Sequence, residues 1–335
     1  MKRLKKAVIS LLCISLFAAL AMGSGSSDSS SSSVQKVGEA SSTKDTSETD
    51  SKSDDKEKET EPTAKNEEIK SEYHVGDTFT KDGLSLTYVS SSYYESDNMF
   101  IEPAEGNQFI RLFFHVDNQS GSDKSVSTFE FSCYADGYEC EATYNDDDLS
   151  ASLSNGRSAD GAVYFEIPED AKEIEIEYEY DWLDSKKIKL IFEGDKDSGL
   201  VFEKNASASE SAFHVGDIIE TKKLRITYNK AAEYVSDNMF LVPNEGNKYI
   251  YIELEVENLS DSDQTISYFS FECYADGVAC DGFYGLDDEL SATLSAGRKA
   301  KGSIGFEVPK DAEVIEIEFE DNIWTDNKII FLYEE

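Results

Sequence analysis

Residues Gln108–Asn118 read QFIRLFFHVDN, and Lys248–Asn258, 140 positions later, read KYIYIELEVEN. Every second residue in each stretch is apolar: Ile110, Leu112, Phe114 and Val116 in the first, Ile250, Ile252, Leu254 and Val256 in the second. A period of two is typical of a strand with one buried face, whereas an amphipathic helix repeats every 3.6 residues. The pattern therefore predicts two equivalent strands with four core positions each.

These strands belong to an internal repeat. The motifs Ser96–Phe100 and Cys133–Gly137 return at Ser236–Phe240 and Cys273–Gly277, at the same offset of 140. After one inserted residue, FEIP ending at Pro168 returns as FEVP ending at Pro309. Because the motifs keep their order over most of each half, the repeat indicates duplication of a whole domain.

A late strand in each copy shows the same alternation. Ile174, Ile176 and Tyr178 alternate with glutamates, and so do Ile315, Ile317 and Phe319. One buried and one solvated face is typical of an antiparallel sheet, so we expect Glu316, Glu318 and Glu320 to face solvent. About seven to nine such runs per copy, separated by glycine-containing turns, predict an all-β fold of two tandem immunoglobulin-like β-sandwich domains.

The composition of the other segments sets the predicted boundaries. A basic start and an apolar core predict a signal peptide at 1–23, with an uncleaved anchor as the alternative. We predict a disordered Ser-rich acidic linker at 24–72, the first domain at 73–197, an inter-domain linker at 198–211 and the second domain at 212–335. The apolar core is about 16 residues, shorter than the roughly 20 of a membrane-spanning helix. We therefore expect an exported chain with no transmembrane span after cleavage.

The net charge of −38 is spread over both halves, because residues 73–197 hold 28 Asp/Glu against 9 Lys/Arg and residues 198–335 hold 28 against 11. Such a field repels nucleic acid and favours cations or basic partners. The alternative is that the acidic surface only keeps an exported protein soluble.

Four cysteines form two pairs, Cys133 with Cys140 and Cys273 with Cys280. An Asp136-Gly137 turn of two residues would place Cys133 opposite Cys140 in a hairpin. In an exported chain this spacing predicts one disulfide per domain. A disulfide fits less well at a hydrogen-bonded position of a ladder, so a slightly longer turn is the alternative.

The turn and core motifs carry a family resemblance. The sequences GNQFIRLFFHVDN ending at Asn118, YADG ending at Gly137 and GAVYFEIP ending at Pro168 resemble domain-of-unknown-function family 4352, and the second half matches at corresponding motifs. The resemblance implies an immunoglobulin-like sandwich, related to a mycobacterial immunoprotective extracellular protein, on secreted or surface proteins of Gram-positive bacteria. It implies no catalytic residues.

The sequence holds three histidines, and no catalytic set of them recurs in both copies, so we expect no enzyme activity. The best candidate for a cation site combines two acidic loops, since Ca²⁺ takes six to eight oxygen ligands. Its residues are Asp97, Asp147 and Asp148 in the first copy and Asp237, Asp287 and Asp288 in the second. Adjacent acids cannot all point at one ion, however, so a solvated acidic turn is the favoured interpretation and no cofactor is expected.

Aromatic residues near the ends of each copy are candidates for a contact surface, with core packing as the favoured alternative. They are Tyr93, Tyr94, Trp182, Tyr234 and Trp324. The leading functional hypothesis is a non-catalytic, exported or cell-surface module that binds an envelope component or an extracellular protein. A structural spacer of the envelope and a Ca²⁺-dependent adhesin are the alternatives.

Overall fold

The computed structural model describes residues 35–39, 69–96, 101–320 and 328–334. The predicted signal peptide, Asp97 and Trp324 lie outside the described residues. Strand β1 (Gln35–Glu39) falls within the segment expected to be disordered and pairs antiparallel with strand β15 (Asp217–Glu220). These five residues form a strand in the structure, and the disorder of the segment 24–72 stays a prediction. Backbone hydrogen bonds to an open sheet edge do not depend on side-chain hydrophobicity, the property from which the disorder was inferred.

The first repeat forms two layers. Its strands within the described residues are β2 (Glu72–Tyr73), β3 (Thr78–Lys81), β4 (Leu84–Tyr94), β5 (Asn107–Asn118), β6 (Lys124–Ser127), β7 (Phe131–Ala135), β8 (Tyr138–Glu139), β9 (Glu141–Thr143), β10 (Ser150–Leu153), β11 (Ser158–Pro168), β12 (Ile174–Asp181), β13 (Lys186–Ile191) and β14 (Lys196–Asp197). One layer contains β3, β4, β5, β11, β9 and β14, and the other has the order β2-β13-β12-β7-β8. Strands β6 and β10 form a short separate pair, and a 3₁₀ helix spans Thr128–Glu130.

The second repeat has the same plan. After β15, its described strands are β16 (Leu224–Tyr234), β17 (Asn247–Asn258), β18 (Gln264–Ile266), β19 (Phe271–Ala275), β20 (Val278–Cys280), β21 (Gly282–Phe283), β22 (Ala292–Leu294), β23 (Lys299–Pro309), β24 (Ile315–Glu320) and β25 (Lys328–Leu332). The layers are β15-β16-β17-β23-β21 and β20-β19-β24-β25, with β18 paired to β22 and a 3₁₀ helix at Tyr268–Ser270. No helix in the described residues is long and apolar enough to cross a membrane.

The core of each domain lies between its two layers. The four alternating positions of β5 are fully buried, and those of β17 are at most 1% exposed. They pack against apolar residues of the facing layer, such as Ile176 on β12 and Ile317 on β24. The prediction of an all-β fold with two tandem sandwiches is thereby confirmed.

The predicted hairpin of each domain has the expected register. Residues Asp136 and Gly137 have φ of 49° and 82°, the left-handed values that a two-residue type I′ turn requires. The backbone N–H of Cys140 donates to the carbonyl of Cys133 at 2.9 Å, and Cys273 pairs directly with Cys280 in the second domain. The four thiols are free in this structure. The pairs thus face each other across the ladder, and the disulfides stay a prediction.

A buried ionic junction joins the two domains. Arg157, at the start of β11, donates through Nη2 to Glu316 at 2.6 Å and lies 2.7 Å from Glu318, while its guanidinium lies over the ring of Tyr274. Lys328 adds an ion pair to Asp123 of the first domain at 2.8 Å. Both glutamates are at most 3% exposed.

The expectation that Glu316 and Glu318 face solvent is therefore wrong. Their strand does turn them away from the core of their own domain, as the alternation requires. The loop Ser154–Arg157 of the first domain covers that outer face. Ser154 donates to Glu318, and its backbone N–H donates to the Tyr274 hydroxyl at 3.2 Å.

The predicted inter-domain linker lies against both domains. The backbone N–H of Ser198 donates to Val89 in the first domain at 3.0 Å, and that of Asn205 donates to Asp276 in the second at 2.7 Å. The Phe202 ring stacks on His115 with the centroids 3.7 Å apart. These contacts fix the path of the segment along the junction.

Candidate binding cleft between the two domains

A polar cleft of about 510 Å³ lies between the two domains. The first domain lines it with the loop Tyr144–Asp148, which connects β9 to β10, and with Asp160 on β11. The second domain contributes Glu272 on β19 and Asp281 between β20 and β21. Most ionisable groups at this wall are carboxyls, so the cleft is strongly acidic.

Asp147 fixes the acidic loop to the sheet beneath it. Arg111 on β5 donates through Nη2 to one carboxylate oxygen at 2.6 Å, and the Tyr164 hydroxyl on β11 donates to the other at 2.5 Å. The Arg111 charge compensates that of Asp147. The neighbouring Asp146 is exposed and lines the cleft, so it is better placed than Asp147 to meet a ligand.

Burial raises the pKa of three carboxyls that line the cleft. Burial raises the pKa of Asp148 to about 6, and the charges of Asp147 and Asp146 add to the effect. Burial likewise raises the pKa of Glu272 to about 7. Burial and then the charge of Glu307 raise the pKa of Asp281, with smaller contributions from Asp146 and Asp147. A cationic group in the cleft would favour the ionised form of these carboxyls and so lower their pKa values.

Asn145 adds a polar group with unused hydrogen-bonding capacity. The Tyr94 hydroxyl donates to its carbonyl oxygen at 3.1 Å, and the Tyr94 ring packs edge-on against Tyr164. The amide nitrogen of Asn145 is buried and has no acceptor among the residues that the structure describes. An acceptor on a ligand would satisfy it.

Some residues of the predicted cation site have partners of their own, and others are exposed. Asp147 pairs with Arg111, and Asp288 accepts a hydrogen bond from the Ser303 hydroxyl at 3.1 Å. Asp237 and Asp287 are exposed. Within the described ranges, no group of three or more His, Cys, Asp or Glu side chains is arranged to hold a metal ion. The structure gives Asp147 a structural role, and the Ca²⁺ site stays a prediction.

The predicted aromatic surface is divided among several environments. Tyr94 and its counterpart Tyr234 pack under loops, and the Tyr234 hydroxyl donates to the carbonyl of Gly285 at 3.3 Å. Tyr93 packs against Phe192 and is half exposed. Trp182 is 78% exposed. The aromatic contact surface stays a prediction.

The structure also presents an aromatic pair that the sequence analysis missed. Phe129 and Tyr144 are both exposed, with ring centroids 6.1 Å apart, and Tyr144 lines the cleft. Their counterparts Phe269 and Tyr284 are exposed in the second domain. Recurrence at the offset of 140 was the available signal, because core packing alone does not require an exposed aromatic residue in both copies.

Residues 73–188 and 213–329 each match the family model described as Domain of unknown function (DUF4352). Among solved structures, the chain is similar to ycdA of Bacillus subtilis, with 12% identity and a TM-score of 0.31, over 38% of this chain and 39% of that one. It is similar to yjhA of B. subtilis, with 13% identity and a TM-score of 0.30, over 36% and 98% of the chains. The secreted protein MPT63 of Mycobacterium tuberculosis matches with 13% identity and a TM-score of 0.26, over 35% and 84%.

The chain thus spans well under half of the length of ycdA. The comparison with curated proteins finds no match.

Proposed function

The chain belongs to the DUF4352 family, whose domain it carries twice, and on that premise we propose that it is an exported, non-catalytic module that binds a basic partner in the cleft between its domains. The observation that carries the proposal is the acidic wall, to which both domains contribute carboxyls with raised pKa values. The partner is a lysine- or arginine-rich segment of an extracellular or envelope protein.

The cleft offers such a segment more than charge. Asp146 and Asp281 supply carboxylates, and Tyr144 supplies an aromatic face to which a cationic group is attracted. The free amide nitrogen of Asn145 would donate to a backbone carbonyl of the bound segment. The overall charge of −38 would also accelerate the approach of a basic partner.

Export is supported by the basic and apolar start of the sequence, and a cell-surface position on a Gram-positive-type bacterium by the family resemblance. In that compartment we propose that the facing cysteine pairs are oxidised to disulfides. A non-catalytic role is supported by His115, which pairs with Asp160 at 2.7 Å but stacks on Phe202 and is replaced by Glu255 in the second copy.

A peptide-binding titration tests the proposal. A labelled oligolysine peptide is titrated with the full chain in 0.15 M NaCl, with oligoglutamate as the negative control. The double variant Asp146→Asn/Asp281→Asn removes two charges from the cleft. The matched control is Asp287→Asn/Glu141→Gln, which removes the same total charge. Asp287 is the counterpart of Asp146 in the second domain, Glu141 is the counterpart of Asp281 in the first, and neither residue lines the cleft.

We expect the cleft variant to weaken oligolysine binding about tenfold, equivalent to about 1.4 kcal/mol, and the control variant to change it less than twofold. Equal weakening by both variants would mean that oligolysine responds only to overall charge. Absence of oligolysine binding would favour the structural spacer instead.

A further inference from the structure

The junction between the domains consists of two complementary halves. The first domain supplies a loop, Ser154–Arg157, together with Asp123. The second domain supplies a sheet face with Tyr274, Glu316, Glu318 and Lys328. Because the domains are copies of one another, each also carries the half that it does not use in this junction.

Both unused halves keep the residues that make the contact. The loop recurs in the second domain at Ser295–Arg298, together with Asp263. The sheet face recurs in the first domain as Tyr134, Glu175, Glu177 and Lys187. Each charged group of the junction therefore has a counterpart at an outer end of the two-domain unit.

The unused halves are more exposed to solvent than the halves that form the junction. Arg157, Tyr274, Glu316 and Glu318 are all at most 9% exposed within the junction. In contrast, Ser295, Arg298 and Asp263 are exposed, and Tyr134, Glu175 and Glu177 are only partly buried. The same residue types are thus buried where a second domain contacts them and more exposed where none does.

We propose that these two outer halves bind each other in neighbouring copies, so that the chain associates head to tail with a second copy of itself. Arg298 of one copy pairs with Glu175 and Glu177 of the next, as Arg157 pairs with Glu316 and Glu318. Lys187 pairs with Asp263, as Lys328 pairs with Asp123. Such a heterologous contact leaves one free half at each end, so it permits growth into chains.

One substitution distinguishes the outer face from the inner one. Lys189 pairs with Glu175 at 2.6 Å, whereas the residue at the corresponding position of β25 is Ile330, which lies opposite Glu318. Lys189 is 42% exposed, so its ammonium group can rotate away from Glu175 into the solvent when Arg298 of another copy binds. Because the ion pair between Lys189 and Glu175 must be broken first, the contact between chains is weaker than the contact within the chain.

The linker between the two domains allows the affinity between separate chains to be estimated. A short linker gives an effective concentration of roughly 1 mM, so a junction closed in about nine-tenths of molecules corresponds to a Kd of about 0.1 mM between separate chains. With the exchange at Lys189, association should become measurable between about 0.1 and 1 mM. Such local concentrations are relevant to a protein confined to a surface.

A charge-swap experiment with the full chain tests the pairing. Sedimentation velocity is measured at 0.01 to 1 mM in 0.15 M NaCl for the wild type, Arg298→Glu, Glu177→Arg and an equimolar mixture of the two variants. Lys310→Glu is the matched control, because it makes the same charge change as Arg298→Glu at an exposed turn at the opposite end of β17 and β23. Thermal melting verifies that each variant is folded.

We expect the wild type and Lys310→Glu to associate with increasing concentration. Each of the other variants alone should weaken association at least tenfold, and their mixture should restore it, because the reversed charges are again complementary. A monomeric wild type at 1 mM, undiminished association of Arg298→Glu, or a mixture without recovery would each overturn the proposal. None of these outcomes depends on oligolysine binding.

Discussion

Individual buried charged residues hold the two domains together. Arg157 is 9% exposed and is the guanidinium that meets both Glu316 and Glu318, which lie side by side on β24. Removing one partner of a buried ion pair leaves the other charge uncompensated in a poorly solvated place. The equivalent Arg298 is exposed, so its removal from a single chain leaves no buried charge uncompensated.

We therefore expect Arg157→Ala to lower the free energy of unfolding by up to about 3–5 kcal/mol, the usual cost of breaking a buried pair. Opening of the junction would limit the loss, because the glutamates would then regain water. Chemical denaturation of the full chain at low concentration measures the effect. Arg298→Ala is the matched control, with an expected change within about 0.5 kcal/mol. Equal effects of the two substitutions would contradict the role given to Arg157.

The raised pKa of Glu272 predicts a pH dependence of stability. Burial raises this pKa from 4.5 to about 7, the charge of Lys328 opposes the shift, and Glu318, Asp123 and Glu320 add to it. The folded state thus favours the protonated carboxyl. Its stabilising contribution is fully present below about pH 4.5 and is lost as the pH rises through about 7.

Glu272→Gln keeps the shape of the protonated side chain and removes its titration. We expect the substitution to raise Tm at pH 8, by an amount equivalent to at most about 3 kcal/mol, since one pKa unit corresponds to about 1.4 kcal/mol, and to leave it nearly unchanged at pH 4. Melting curves across this range, with Glu169→Gln as an exposed control, measure the difference. An equal shift at both pH values would show that Glu272 does not titrate between them.

At the scale of elements, the β7–β8 hairpin and its counterpart β19–β20 show how turn chemistry sets register. A type I′ turn at Asp136-Gly137 places the two cysteines opposite one another without any long-range contact. The same hairpin in the second domain also meets the first domain, because Ser158 on β11 pairs with Val278 on β20. One local element thus serves both the sheet of its own domain and the junction.

Protein isolated from culture medium should contain a disulfide in each hairpin. Intact-mass measurement after alkylation, with and without prior reduction, should show four cysteines modified only after reduction. Each disulfide should add about 2.5 kcal/mol to stability, the amount expected when so short a loop is closed. Four free thiols before reduction would contradict the prediction, and Cys140→Ser with Cys280→Ser gives the reference without either bond.

For the molecule as a whole, the most prominent feature is its net negative charge. A net charge of −38 on a chain of 335 residues makes the compact state repel itself, and the carboxyls gathered in the cleft sharpen that effect. Monovalent salt weakens this repulsion at a Debye length near 8 Å in 0.15 M NaCl. A specific cation site would act differently, since it adds stability over a background of salt.

We expect Tm to rise gradually with NaCl and to move by less than about 2 °C when 1 mM CaCl₂ is added to 0.15 M NaCl. Saturation of a site with a Kd near 10 µM would instead add about 2.7 kcal/mol. Differential scanning calorimetry distinguishes the two. A Ca²⁺ shift of several degrees, abolished by Asp147→Ala with Asp148→Ala, would establish a cation site at the acidic loop.

The strands, their duplication and the register of the hairpins could all be predicted from the amino-acid sequence. Alternation with a period of two in Gln108–Asn118 indicates that one face of the strand is buried against a core. An Asp-Gly pair favours one local backbone conformation, so both features can be predicted from neighbouring residues. The burial of the outward faces, in contrast, depends on how the two domains pack together. Glu316 and Glu318 have the same pattern as Glu175 and Glu177, yet the first pair is buried and the second is not. Alternation specifies which face turns away from a domain's own core, whereas docking of the other domain determines whether that face meets water.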